Sequence, residues 1–438
     1  MQKHKQLWLI SLANLLLIGV YVFFAYAPSG QDLAASILEN QNETVPASDL
    51  VLAQAGEFAS LDPHALALGD RVSLGLIYEP LVRFDEFLNL TPALANTWYW
   101  RSDTELAFEL RSDVVFHDGS SLTCAAVAAS FDRAKNYAGS ALRDTFSHTE
   151  FFTDSERRCG FRLAQPDYNF IRKLTQFYIL STEVATAAAE SAPLHAVGSG
   201  RYQLVDRDED ALIFAAFPDY YFYDAELPSS LALLSEAKKY NRLALLKEGK
   251  ADVLLDVPAS FVSQIEARYG YTVTPVPNYE SIFLLFNFKS PELAETDARV
   301  RLASLIGEVS LETALEDASL YRLKQFAPSG VFGFAPELID FQPEPAEPFT
   351  EKVFLSLGVT EDYKKIAEVL QARLAEQNID LVLHILSGED LARELADGAL
   401  DLYLTGWRYE LGTVDDFFAQ VWHSRTNGFG SLAGLGFA

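Results

Sequence analysis

The chain has 438 residues, and at roughly 150 residues per domain that length excludes a single small module. Apolar residues make up 49% and aromatic residues 13%, enough to fill a sizeable core and too much for a disordered chain. Its 34 basic and 61 acidic side chains leave a formal charge of −27, which argues against a nucleic-acid partner, since phosphate backbones are held by cations. With only Cys124 and Cys159, neither a cysteine-based zinc framework nor a disulfide-dense scaffold is available.

Lys3, His4 and Lys5 precede an apolar run, Leu7 to Ala27, in which Ser11 and Asn14 are the clearly polar members. As a helix this run spans about 30 Å, the thickness of a bilayer's hydrocarbon core. The basic flank predicts a cytoplasmic N-terminus and an exported remainder. Ala25-Tyr26-Ala27 fits a small-x-small cleavage site, so processing after Ala27 is one reading. Pro28 would follow that cut and makes a poor protease substrate, so residues 1–28 are read as an uncleaved signal/anchor helix and residues 29–48 as a polar tether. In an oxidising compartment Cys124 and Cys159 could pair, closing a loop worth ~3 kcal/mol in the chain-entropy model, or remain two buried thiols.

Further along, Leu106, Phe108 and Leu110 alternate with polar neighbours, a half-buried strand within 105–116. His117-Asp118-Gly119 supplies turn chemistry, and Thr123 can cap a helix running to about Lys135. A strand-then-helix pattern follows over 161–180, then an Ala-rich helix over 182–190. Gly198-Ser199-Gly200 reads as a turn into a strand at 202–205. A helix over 237–248 precedes a strand at 251–255, and the Pro-rich stretch Phe341 to Phe349 reads as a surface connection. Val353 to Leu357 then begins a strand–helix–strand–helix–strand series, with helices over 361–377 and 389–396 and strands over 379–385 and 400–404. That order predicts a parallel sheet covered by helices.

Candidate chemistry is sparse. The seven histidines are scattered, with no pair at helical spacing, so no metal site is indicated; His384 is a strand-face residue and His148 a surface one. Gly198-x-Gly200 lacks the following helix and the lysine of a phosphate loop, and no Gly-x-Ser-x-Gly elbow occurs. No cofactor is implied, and the residues disfavour an enzyme.

Several segments, in order, resemble the extracytoplasmic solute-binding proteins of the peptide/nickel class (family 5) of ABC importers. They are Leu61-Asp62-Pro63, Ile77-Tyr78-Glu79-Pro80-Leu81-Val82, Pro92-Ala93-Leu94-Ala95 before Trp98, and Phe108-Glu109-Leu110-Arg111. Val115-Phe116-His117-Asp118-Gly119, Ser130-Phe131-Asp132-Arg133 and Gly198-Ser199-Gly200-Arg201-Tyr202 continue the series. Phe217-Pro218-Asp219-Tyr220, Phe286-Asn287, the Asp297 to Ala303 stretch and Gly406-Trp407 complete it.

The resemblance implies an α/β, two-lobed periplasmic-binding-protein-like fold (type II class C) behind the N-terminal transmembrane helix. Lobe I would comprise 49–78 and 190–226, with an inserted subdomain at 79–189, and lobe II would comprise 227–438. It implies a monomeric receptor, anchored on the outer face of the cytoplasmic membrane or in the periplasm, that closes on an oligopeptide or other small solute and delivers it to an ABC permease. Trp407, Arg408, Tyr409 and Glu410 would be the ligand-binding residues. Glu410 falls where peptide-binding members place the carboxylate that meets the ligand's amino terminus, and Arg408 could pair with Glu410 or a ligand carboxylate. Departures are the Tyr409-Glu410-Leu411-Gly412-Thr413 stretch, Leu305-Ile306-Gly307-Glu308, and a chain that stops at Ala438 where the family continues. The alternative is therefore a truncated or degenerate homologue serving as a membrane-anchored sensor or interaction domain.

Overall fold

The computed structural model describes residues 22–24 and most of 48–418, leaving out shorter internal stretches such as 66–70, 188–195, 312–322 and 337–346. The chain divides into two compact units, Met1–Pro277 and Asn278–Ala438.

Leu50–Gln54 is the organising strand of the first unit. Val51, Leu52 and Ala53 are buried, as a strand covered on both faces requires. It pairs in parallel with Ser230–Ser235 on one side and Val253–Leu254 on the other, and Ala211–Ala216 and Tyr202–Arg207 extend the sheet antiparallel. Leu52, Phe214 and Leu233 pack on one face with Ile77 and Tyr78, while Val51, Ile213 and Leu234 pack on the other with Leu243 and Leu246. Residues 227–277 thus belong to the first unit, and the boundary expected at 226/227 moves to Pro277/Asn278. The cause is physical: Ser230–Ser235 finds its parallel partner at residues 50–54, far away in sequence.

A second, four-stranded antiparallel sheet of the same unit runs Ala95–Ser102, Glu105–Leu110, Arg158–Leu163, Thr149–Ser155. Helix Cys124–Asn136 covers its inner face through a core containing Phe108, Phe131, Phe146, Phe161 and Phe177. Cys124 and Cys159 are joined in a disulfide with Cα atoms 5.9 Å apart, tying the start of that helix to the sheet. Gly198-Ser199-Gly200 is more than a turn. A Cβ at Gly198 or Gly200 would overlap the backbone of Leu76–Ile77, and Gly200 N–H donates to Ile77 O at 2.8 Å.

The second unit carries the expected alternation. Val353–Thr360 runs parallel to both Ile379–Leu386 and Leu402–Arg408, and Glu280–Phe286 joins the latter antiparallel. Helix Lys364–Ala375 packs on one face through Ile366, Leu370 and Leu374. Helix Gly388–Asp397 contributes Leu391 to the other face, against Leu285 and Tyr403. It starts where Ser387 Oγ accepts from Asp390 N–H and stops at Gly398, whose φ of 64° is left-handed.

Of the anchor helix predicted over 1–28, only Val22–Phe24 is described, and it is a strand paired antiparallel with Thr272–Thr274. Extended backbone there is incompatible with a helix continuous to Ala27. The remainder of that segment, and the tether apart from Ser48, lie outside the described residues. Among the described residues no helix is long and apolar enough to cross a membrane.

Candidate functional site

The four residues singled out by sequence lie at the end of the Leu402–Arg408 strand and in the turn beyond it. Pairing with Glu280–Phe286 sets Trp407 opposite Ser281 and Arg408 opposite Glu280. Directly paired residues project to the same face, so two different chemical surfaces result.

On one face Trp407 and Ser281 enter an aromatic cluster. Phe417, only 1% exposed, lies 4.7 Å from Phe283, 5.7 Å from Phe326 and 5.7 Å from Trp407, ring centre to ring centre. Phe417 is delivered by the short helix Val414–Phe417, whose cap Thr413 accepts from Asp415 N–H at 3.3 Å. The indole Nε1 of Trp407 and the hydroxyl of Ser281 are buried here without a hydrogen-bond partner among the described residues. Leaving such groups unpaired costs roughly 1–3 kcal/mol each.

The opposite face is polar. Tyr363 Oη donates to Glu280 Oε1, and Arg408 Nη2 donates to Glu280 Oε2 at 3.4 Å. Burial, then the bond to Glu280, raises the Tyr363 phenol above its ordinary pKa and keeps it a donor. Gly406 lies beneath this pair, where a Cβ would overlap the Tyr363 hydroxyl.

Tyr409 faces inward. Its ring is 1% exposed and its hydroxyl donates to Phe326 O. Burial pushes the phenol up to about 12, opposed by the Ser281 hydroxyl, which lies nearby but outside hydrogen-bond geometry. Glu410 follows in a half-buried turn, its N–H donating to Arg408 O at 2.9 Å, and Gly412, with a φ of 62°, closes that turn through a 2.9 Å bond to Tyr409 O. The strand end thus carries an indole donor, a guanidinium already engaged by Glu280, and a carboxylate in the turn just beyond.

Sequence reasoning missed Glu280, Ser281, Tyr363, Phe326 and Phe417. Cross-strand register joins the first two to the site, and no local pattern signals it. It also missed the buried ionic cluster of the first unit, where Arg133 binds both oxygens of Asp62 at 3.0 and 2.6 Å and donates to His64 Nδ1 at 3.0 Å. Another buried carboxylate, Glu79, accepts from Tyr220 at 3.0 Å, Tyr221 at 2.7 Å and Ser199 at 3.3 Å. These clusters bind within the chain and hold its segments together. Among the described residues no group of three or more His, Cys, Asp and Glu is placed to hold a metal ion.

Comparison with known proteins places this geometry. The family profile for bacterial extracellular solute-binding proteins, family 5 Middle, matches residues 89–306. The dipeptide-binding protein of Escherichia coli (strain K12) is 22% identical, over 89% of this chain and 81% of that protein. Among solved structures, NikA from Brucella suis in complex with Fe(III)-EDTA superposes with a TM-score of 0.75 at 16% identity, covering 88% of this chain and 84% of its own. The periplasmic binding protein DppA from Helicobacter pylori, in complex with the peptide STSA, gives a TM-score of 0.66 at 18% identity, covering 86% and 81%. The α/β fold is that of the periplasmic binding proteins, and the chain belongs to the family 5 bacterial extracellular solute-binding proteins of ABC importers.

Proposed function

We propose that the protein is the extracytoplasmic receptor of an ABC importer and that its ligand is an oligopeptide or a close mimic of one. The observation that carries this reading is the pair of buried, unpartnered polar groups, Trp407 Nε1 and Ser281 Oγ, on the rung that leads into Glu410. Buried donors in native proteins nearly always have acceptors, so a ligand bringing carbonyl oxygens to this strand end would remove a standing cost. A peptide does so while presenting a cationic amino terminus, which Glu410 neutralises. Strand-like main-chain contacts would supply affinity, and the side-chain surroundings would supply preference. Arg408, held by Glu280 in the free protein, lies within the same segment and can exchange that partner for a ligand carboxylate. The relative named for dipeptides and the neighbour solved with a peptide support this ligand class.

Export directed by the N-terminal apolar segment and a monomeric state complete the reading. Recovery of the protein in the extracytoplasmic fraction would support export; its confinement to the cytoplasm would remove it.

The decisive test is mass spectrometry of ligands carried by the purified protein, with and without Glu410→Gln. Short peptides retained by the wild type and weakened at least tenfold by the variant are the expected result. A protein that purifies empty and ignores a random peptide library overturns the peptide reading.

A further inference from the structure

The loop over 325–335 joins the candidate site from outside the strands, and its construction is unusual for an exposed segment. Gln325 closes it with one side chain: Oε1 accepts from Ala335 N–H at 2.9 Å and Nε2 donates to Ala335 O at 3.0 Å. Inside, Val331 N–H donates to Pro328 O at 3.1 Å and Phe334 N–H to Val331 O at 3.0 Å. Phe332 is held from both sides of its peptide: its N–H donates to Gly412 O at 2.8 Å, and its carbonyl accepts from Val414 N–H at 3.0 Å. Gly330 and Gly333 bracket it in the left-handed region, with φ of 94° and 103°, and a Cβ at Gly333 would overlap Val414. Val331 is buried, yet the ring of Phe332 is 66% exposed.

Fixed backbone and an exposed aromatic ring are an uneconomical combination for stability alone. Exposure forfeits the burial of a large apolar group, and the two crowded glycines add chain entropy to be lost on folding. The same combination suits recognition, because a ring already held in place loses little freedom when a ligand packs against it. Its backbone partner Gly412 lies two residues past Glu410, and Phe326 from the same loop stacks in the cluster that holds Trp407.

We infer that Phe332 is a specificity-determining residue and that the ligand carries an apolar side chain next to its ammonium group. This rests on the peptide reading of Glu410. Glu410 takes the amino terminus of a short peptide, and the ring of Phe332 packs on the first side chain, favouring Leu, Ile, Val, Met or Phe there over Gly or a charged residue.

The test is calorimetric titration of the full chain with Leu-Ala-Ala and Gly-Ala-Ala, using wild type, Phe332→Ala and Phe332→Leu. The wild type should bind Leu-Ala-Ala about tenfold tighter, as expected for burying an aliphatic side chain. Phe332→Ala should reduce that ratio to near one while leaving Gly-Ala-Ala within about twofold, and Phe332→Leu should keep most of the preference. A wild-type ratio retained by Phe332→Ala, or a wild type with no preference, overturns the role of Phe332 alone. Failure of the wild type to bind either peptide overturns the peptide reading and this inference with it.

Discussion

At the scale of single residues, His64 is the clearest case of geometry fixing chemistry. Its Nδ1 faces the Arg133 guanidinium, which can only donate, so Nδ1 is the acceptor and Nε2–H donates to Tyr178 O at 2.9 Å. The imidazole is therefore neutral. Burial is the main cause that lowers its pKa from 6.5 to about 4, with the charge of Arg133 adding to it and Asp62 opposing. Because the folded value lies below the unfolded one, this contribution is complete above pH 6.5 and is lost as pH falls towards 4. The loss is on the order of 3 kcal/mol at most. Glu79 works the other way, since burial raises its carboxyl and stability declines as pH rises past the ordinary glutamate range. Denaturant unfolding of the first unit in wild type and His64→Gln, at pH 7.5 and 4.5, separates the two. The stability gap between the proteins should shrink at the lower pH; a constant gap would contradict the neutral assignment. Gly406→Ala tests a different point. The new methyl must displace Tyr363 from Glu280, so a fall in peptide affinity of tenfold or more is expected with folding retained, measured by the titration above.

Among the secondary elements, the second unit was the most legible from sequence. Ile379, Leu381 and Leu383 alternate, and Ser387 and Gly398 bracket the following helix as capping chemistry requires. Ser387→Ala should cost about 1 kcal/mol in that unit, read from chemical denaturation. The strand Ser230–Ser235 was not read from sequence, and an apolar run states that a strand is buried without stating which sheet buries it. Its partner, Leu50–Gln54, is found only when the chain folds. The same limit hid Ser281 and Glu280, which reach Trp407 and Arg408 through register alone. Trp407 and Glu410 were named through resemblance, and their binding role is part of the proposal. Tyr409, named beside them, turns its hydroxyl to Phe326 and helps hold the turn.

For the whole molecule, the division at Pro277/Asn278 confines the disulfide to the first unit. Reduction should therefore lower the thermal midpoint of one calorimetric transition and leave the other within about 1 °C, the loss corresponding to roughly 2–4 kcal/mol. Equal shifts in both transitions would contradict independent units. Composition had bounded the number of domains and, with a charge of −27, had set nucleic acid aside, but length alone did not locate the boundary.

Gln325 has a practical corollary. One side chain fastens both ends of its loop, while the bonds from Phe332 to Gly412 and Val414 run through main-chain atoms. Residues 326–334 therefore form a cassette that can be exchanged in part, with Phe332 and Phe334 randomised while Gln325, Gly330 and Gly333 are kept. Ligand preference could be re-engineered there without recutting a strand or repacking the core.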